Sequence, residues 1–143
     1  MKIAIGADHG ATELKQVLTD YLTEKGHEVN CYFEVNGSVD YPDVAEETVK
    51  HILNGENDFG VLLCGTGIGI SIAANKIDGI RAALCSEEFS ARMAKIHNNA
   101  NVICMGGRVT GPELAKSILD AYMSVEFEGG RHKMRVDKIT NLE

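Results

Sequence analysis

Residues 61–71 read VLLCGTGIGIS, so an apolar run ends in Cys64 and a loop with three glycines follows at once. A thiol in that place is either a small core hydrophobe or a reagent aimed into a ligand-binding turn. Backbone N–H groups exposed where a glycine-rich turn opens a helix attract anions. They also lower the pKa of a cysteine beside them and favour its thiolate. A thiolate near neutrality acts as a nucleophile or as a general base. The same amides can stabilise an oxyanion that forms next to it. A cysteine closing a strand is usually structural, but here the glycines on its C-terminal side argue for the reactive reading.

Two more clusters carry chemistry. Asp8 and His9 follow the first apolar run, in GADHG, and His97 stands in KIHNNANV before the last such run. Histidine is the side chain most easily set to donate and accept protons near pH 7. Arg131 and Arg135 are four apart in GGRHKMRV, so on a helix they share a face and can grip one phosphate. Arg108, in MGGRVTG, adds a third cation. In isolation such arginines form a solvated basic face. In a chain of net charge −7 they are the locally placed cations that an anionic substrate would need. The same net charge disfavours nucleic acid, whose usual footprint is a basic patch.

Other phosphate motifs fail residue by residue. A dinucleotide fingerprint starting at Gly65 requires glycine where Ile70 stands, and one starting at Gly67 fails at Ile72. A phosphatase loop of the Cys-x5-Arg type also meets Ile70 where it needs arginine. A phospho-acceptor fold of the receiver type needs a carboxylate at the end of strand three, where Cys64 sits. The four cysteines, at 31, 64, 85 and 104, form no CxxC or Cys/His cluster, so zinc and redox motifs are unsupported. Cys31, Cys85 and Cys104 read as buried reduced thiols. His27 and His51 lie in polar surroundings and receive no role.

The elements that must position these groups follow from periodicity. With 143 residues the chain makes one domain, residues 1–143. Apolar runs at 2–7, 27–32, 59–64, 80–85 and 101–106 read as strands. Helical patterns lie between them: Leu14, Val17, Leu18, Tyr21 and Leu22 share one face, Pro42 fits a first helical turn, and a third helix runs from the glycine turn through Lys76. Strands alternating with helices predict an α/β/α sandwich around a five-stranded parallel sheet. The expected order is 2-1-3-4-5, with a C-terminal helix after the Gly-Gly break. Open parallel sheets bind ligands beyond the carboxyl ends of their strands, where strand order reverses. That point lies between strands one and three, so Asp8-His9 and Cys64-Gly65-Thr66 are expected side by side, with His97 overlooking the same crevice. No run approaches about 18 apolar residues, the N-terminus reads as a first strand and not as a signal peptide, and a cytoplasmic protein with no membrane partner is expected.

The motifs GADHG, DYPD, LLCGTGIGISIAANK, GIRAAL, HNNANV, GGRVTG and EGGRHKMRV occur in that order across nearly the whole chain. Together they resemble the type-B ribose-5-phosphate isomerases, in the family that also holds galactose-6-phosphate and allose-6-phosphate isomerases. The resemblance implies a Rossmann-like sandwich acting as a homodimer or dimer of dimers with shared pockets. It implies interconversion of ribose 5-phosphate and ribulose 5-phosphate through an enediolate, without metal or cofactor. It would make Cys64 the base between C2 and C1, with Thr66 contributing a hydroxyl. Gly65, Gly67, Ile68 and Gly69 would hold substrate oxygens. His97 would open the sugar ring, Asp8, His9 and Asn98 would contact the sugar, and Arg108, Arg131 and Arg135 would bind phosphate. Six-carbon aldose phosphates, or a non-catalytic sugar-phosphate receptor, are the alternatives. Cys64 favours the pentose branch, since some galactose-6-phosphate isomerase subunits lose it. The chain departs from the family pattern at residues 30–38 and at Ala11-Thr12.

Overall fold

A computed structural model describes residues 1–143. Five strands, β1 (Lys2–Ala7), β2 (Glu28–Cys31), β3 (Phe59–Cys64), β4 (Ala82–Leu84) and β5 (Val102–Gly106), pair in parallel throughout. Six helices surround them: α1 (Thr12–Glu24), α2 (Tyr41–Leu53), α3 (Ile68–Ala74), α4 (Glu88–Ile96), α5 (Pro112–Met123) and α6 (Arg131–Thr140). β3 and β5 are buried at every residue. That burial matches their unbroken apolar runs, since strands covered on both faces have no solvent side to make polar. No helix is long and apolar enough to cross a membrane.

The sheet order is β2-β1-β3-β5-β4, not the expected 2-1-3-4-5. Two physical features set it. β4 has only three residues and is partly exposed, whereas β5 is wholly buried and takes the interior place. Crossover handedness agrees. Right-handed connections put the helix of a strand step on one face when the chain moves one way across the sheet, and on the other face when it moves back. The steps β2 to β3 and β3 to β4 run one way, and their helices α2 and α3 share one core layer with Val44, Val49 and Ile70. The steps β1 to β2 and β4 to β5 run the other way. Their helices α1 and α4 lie with α5 in the opposite layer, around Leu18, Ala91 and Ile118. Consequently β5 borders β3, and Cys64 pairs with Gly106 in register.

Two local expectations are corrected. Cys31 is exposed, with the Lys15 Nζ 3.5 Å from its Sγ, because β2 is a four-residue edge strand with half-open faces. The third helix stops at Ala74 instead of running through Lys76. The Asn75 side chain turns back to the sheet edge, donating to the Ala82 carbonyl and accepting from the Ala82 amide, both at 2.8 Å. Cys85 and Cys104 are buried as expected. Burial pushes the Cys85 thiol up to about 11, and the Cys104 thiol is raised for the same reason. Both remain neutral packing groups.

Candidate active site

Three strand ends meet at the carboxyl edge of the sheet, and glycines let their backbones touch. Beyond β1, Asp8 is 7% exposed, and its Oδ1 accepts from the Gly10 amide at 2.8 Å, forming a tight turn. A Cβ on Gly10 would lie 3.2 Å from the Gly65 nitrogen. Beyond β5, the Gly107 amide donates to the Cys64 carbonyl at 2.8 Å and the Arg108 amide to the Gly65 carbonyl at 3.0 Å. The Arg108 side chain lies over Gly65, with a guanidinium nitrogen 3.1 Å from where a Cβ would be. The expected order would have kept Arg108 one strand further away. The observed order seats it beside the cysteine loop.

Cys64 is 4% exposed, and its sulfur faces the loop: the Gly67 amide donates to Sγ at 3.1 Å. It is the only buried cysteine that receives a backbone N–H. A hydrogen bond of this kind strengthens when the acceptor carries charge. Thr66 Oγ1 accepts from the Ile68 amide at 3.2 Å. The amides of Gly65, Thr66, Gly69 and Ile70 make no hydrogen bond within the chain, so four donors of the turn are left unused. α3 has only seven residues. Individual N–H groups, more than a helix macrodipole, therefore supply the local positive field.

Gly67 fixes this arrangement. Its φ is +78°, and an added Cβ would sit 2.7 Å from the Met105 carbonyl carbon and 2.6 Å from the Leu84 side chain. Gly67→Ala should therefore cost the left-handed conformation, about 1–2 kcal/mol, plus about 1–3 kcal/mol of overpacking. Gly26→Ala, at φ +88° with open space around it, should lose only the first part. Urea midpoints of the two variants check this, and equal losses would contradict it.

Sequence reasoning missed part of the crevice wall. The Tyr41 ring lies against Gly69, and His9 Nδ1 sits 3.2 Å from both the Val39 amide and the Val39 carbonyl. The first residue of α2 and the segment before it thus brace the glycine loop and the histidine. The only signal was a tyrosine next to Pro42 at a helix start.

His97 does not overlook this crevice within one chain. It caps the C-terminus of α4, which runs antiparallel to the strands, and so lies near the amino end of β5. The length of β5 separates it from Cys64, about 13 Å at roughly 3.3 Å per residue. Asn98 is on the same side, where its carbonyl and that of Asn99 accept from Arg81. Arg131 opens α6 on that side too, because the Glu128 amide donates to the Ile96 carbonyl at 3.1 Å and His132 stacks on His97 with ring centroids 4.2 Å apart. α4 itself is anchored by Glu87. The Ser90 side chain, with the Ser90 and Phe89 amides that donate to its carboxylate, holds it below the usual carboxylate range. The predicted site residues therefore fall into two groups: Asp8, His9, Cys64 to Gly69 and Arg108 at one end of the sheet, and His97, Asn98 and Arg131 at the other. Arg131 and Arg135 are exposed at the four-residue spacing expected, and neither they nor Arg108 has a carboxylate partner. The largest cavity, about 670 Å³, borders the second group between Arg81, Asn98 and Ile139, while one of about 400 Å³ lies beside Arg108.

Residues 3–139 match the family described as Ribose/Galactose Isomerase. The ribose-5-phosphate isomerase B of Escherichia coli is 48% identical over 99% of this chain and 96% of its own length. The D-erythrulose-4-phosphate isomerase of Pectobacterium atrosepticum is 50% identical, over 100% of this chain and 95% of its own. Among solved structures, a ribose 5-phosphate isomerase from Thermotoga maritima superposes with a TM-score of 0.95 at 52% identity, covering 98% of this chain and 97% of that one.

Proposed function

The chain belongs to the ribose/galactose isomerase family, and from that premise we propose that it interconverts ribose 5-phosphate and ribulose 5-phosphate through an enediolate, with Cys64 as the base. The enzyme is of the aldose–ketose isomerase type and acts on a sugar phosphate.

In this mechanism His97 donates a proton to the ring oxygen and the sugar opens, with Asp8, His9 and Asn98 orienting it. The Cys64 thiolate removes the proton from C2. Negative charge grows on the C1 oxygen, where the free amides of the Gly65–Ile70 turn and the Thr66 hydroxyl meet it. A proton passes from the C2 hydroxyl to the C1 oxygen, the thiol returns the other proton to C1, and the C2 carbonyl of the ketose forms. Arg108, Arg131 and Arg135 hold the phosphate. The observation that carries the reading is the Gly67 amide on Cys64 Sγ, which sets the only amide-bonded buried thiol at a turn with unused donors.

Two copies complete each site. His97, Asn98 and Arg131 of one copy close over Cys64 of the other, which accounts for their separation along β5 within one chain and for arginines that have no carboxylate partner.

The substrate is tested by kcat/KM for ribose 5-phosphate beside allose 6-phosphate, galactose 6-phosphate and D-erythrulose 4-phosphate. We expect ribose 5-phosphate to exceed each of the others at least tenfold, a margin of about 1.4 kcal/mol in transition-state binding. One observation favours a second reading: a relative 50% identical is named for the four-carbon substrate. Preference for D-erythrulose 4-phosphate would replace the pentose assignment. Binding of sugar phosphate with no solvent-hydrogen exchange at C2 would mark a receptor instead.

A further inference from the structure

The mechanism uses His97 but gives no role to His132 or Glu128. His132 is 5% exposed, and its Nε2 is buried with no hydrogen-bond partner. Leaving such a nitrogen unpaired is costly, so its surroundings should offer an occupant. The Glu128 carboxylate lies 3.6 Å away. That is too long for a hydrogen bond, but it suits two ligands of one metal ion. Around a tetrahedral zinc with bonds of about 2.0–2.2 Å, neighbouring donors lie roughly 3.4 Å apart. His97 stacks on His132, and the donor atoms of all three residues fall within 4.8 Å of one another.

We infer that His97, Glu128 and His132 form a binding site for one divalent cation of the zinc class. Two imidazoles and a carboxylate suit zinc and leave a fourth position for water. The site is prepared in the fold. The Glu128 amide is tied to the Ile96 carbonyl next to His97, and the His132 amide to the Gly129 carbonyl at 3.0 Å. Only the exposed carboxylate and the His97 ring must close inward. Arg131 and Arg135 on the same helix oppose a cation, and Glu128 provides the charge that offsets them. A cation on the His97 nitrogen occupies the lone pair that would otherwise take up the acid proton. The consequence for turnover therefore rests on the role given to His97 above, whereas the binding does not.

The test is calorimetric titration with Zn²⁺ up to about 1 mM, beyond which a site has little meaning. It uses the full-length Cys31→Ser protein, so that the exposed thiol plays no part, with Co²⁺ absorption in parallel. One ion per chain is expected, and Glu128→Gln, a surface change, should weaken it at least about tenfold, the low end of what losing even an outer partner costs. Zinc should lower kcat more than about tenfold in the parent and much less in Glu128→Gln, and a chelator should restore it. No binding, equal binding by Glu128→Gln, or thiolate-to-cobalt charge transfer in the bound species would each overturn the site. Binding that depends on Glu128 but leaves turnover unchanged would uphold the site and overturn the role of His97.

Discussion

Cys64→Ala is expected to lower kcat by about 10²–10⁴-fold, the range a positioned general base contributes, while KM stays within a few-fold. The split follows from where the sulfur sits. It accepts from the Gly67 amide and takes no part in the phosphate grip assigned to the arginines, so its loss removes proton transfer and spares phosphate binding. The side chain is small and nearly buried, and alanine leaves a modest cavity, so the thermal midpoint should fall only slightly. Solvent-deuterium incorporation at C2 should vanish together with turnover. Unchanged kcat in Cys64→Ala would return this residue to the ordinary core and remove the mechanism with it. Cys104→Ala is the natural comparison. That thiol is buried two residues along the neighbouring strand, with its ionisation suppressed by burial, and its loss should affect stability and leave kcat alone.

Mixing two dead variants should restore activity. If His97 of one copy serves Cys64 of the other, Cys64→Ala and His97→Ala homodimers are each inactive. A mixed dimer has one doubly damaged site and one intact site, by the reciprocity of a two-fold interface. Random exchange makes about half the dimers mixed, so an equal mixture should reach about a quarter of wild-type activity. Subunits exchanged by mild denaturant and dialysis provide the measurement. Recovery near a quarter, against less than about a hundredth for either parent, identifies a shared site. No recovery from a demonstrably mixed dimer would place the acid for ring opening within the chain that holds Cys64.

The crevice was largely legible because its residues announce themselves locally. Asp8-His9, Cys64 and the glycine turn stand immediately after strands whose apolar runs are unambiguous, so topology alone brings them together. Arg108 was found as a residue but misplaced, since the order of β4 and β5 depends on a comparison between two short strands. The three residues and partial exposure of β4 carry that information only weakly in IRAALC. Cys31 was misjudged for a related reason: an edge strand and an interior strand can begin with similar residues. His132 went unnoticed because its importance is a contact with His97 across separate helices. Tyr41 was missed because an aromatic at a helix start has many ordinary uses, and only its ring against Gly69 distinguishes this one.

Asn75 bears on how copies of the chain can assemble. A short strand at the rim of a parallel sheet offers open backbone to any extended segment that drifts past. Here a side-chain amide already occupies both hydrogen-bonding groups of Ala82, imitating one rung of a neighbouring strand. The sheet therefore cannot grow through that residue into a second molecule. That leaves the chain poorly suited to fibre formation along this border.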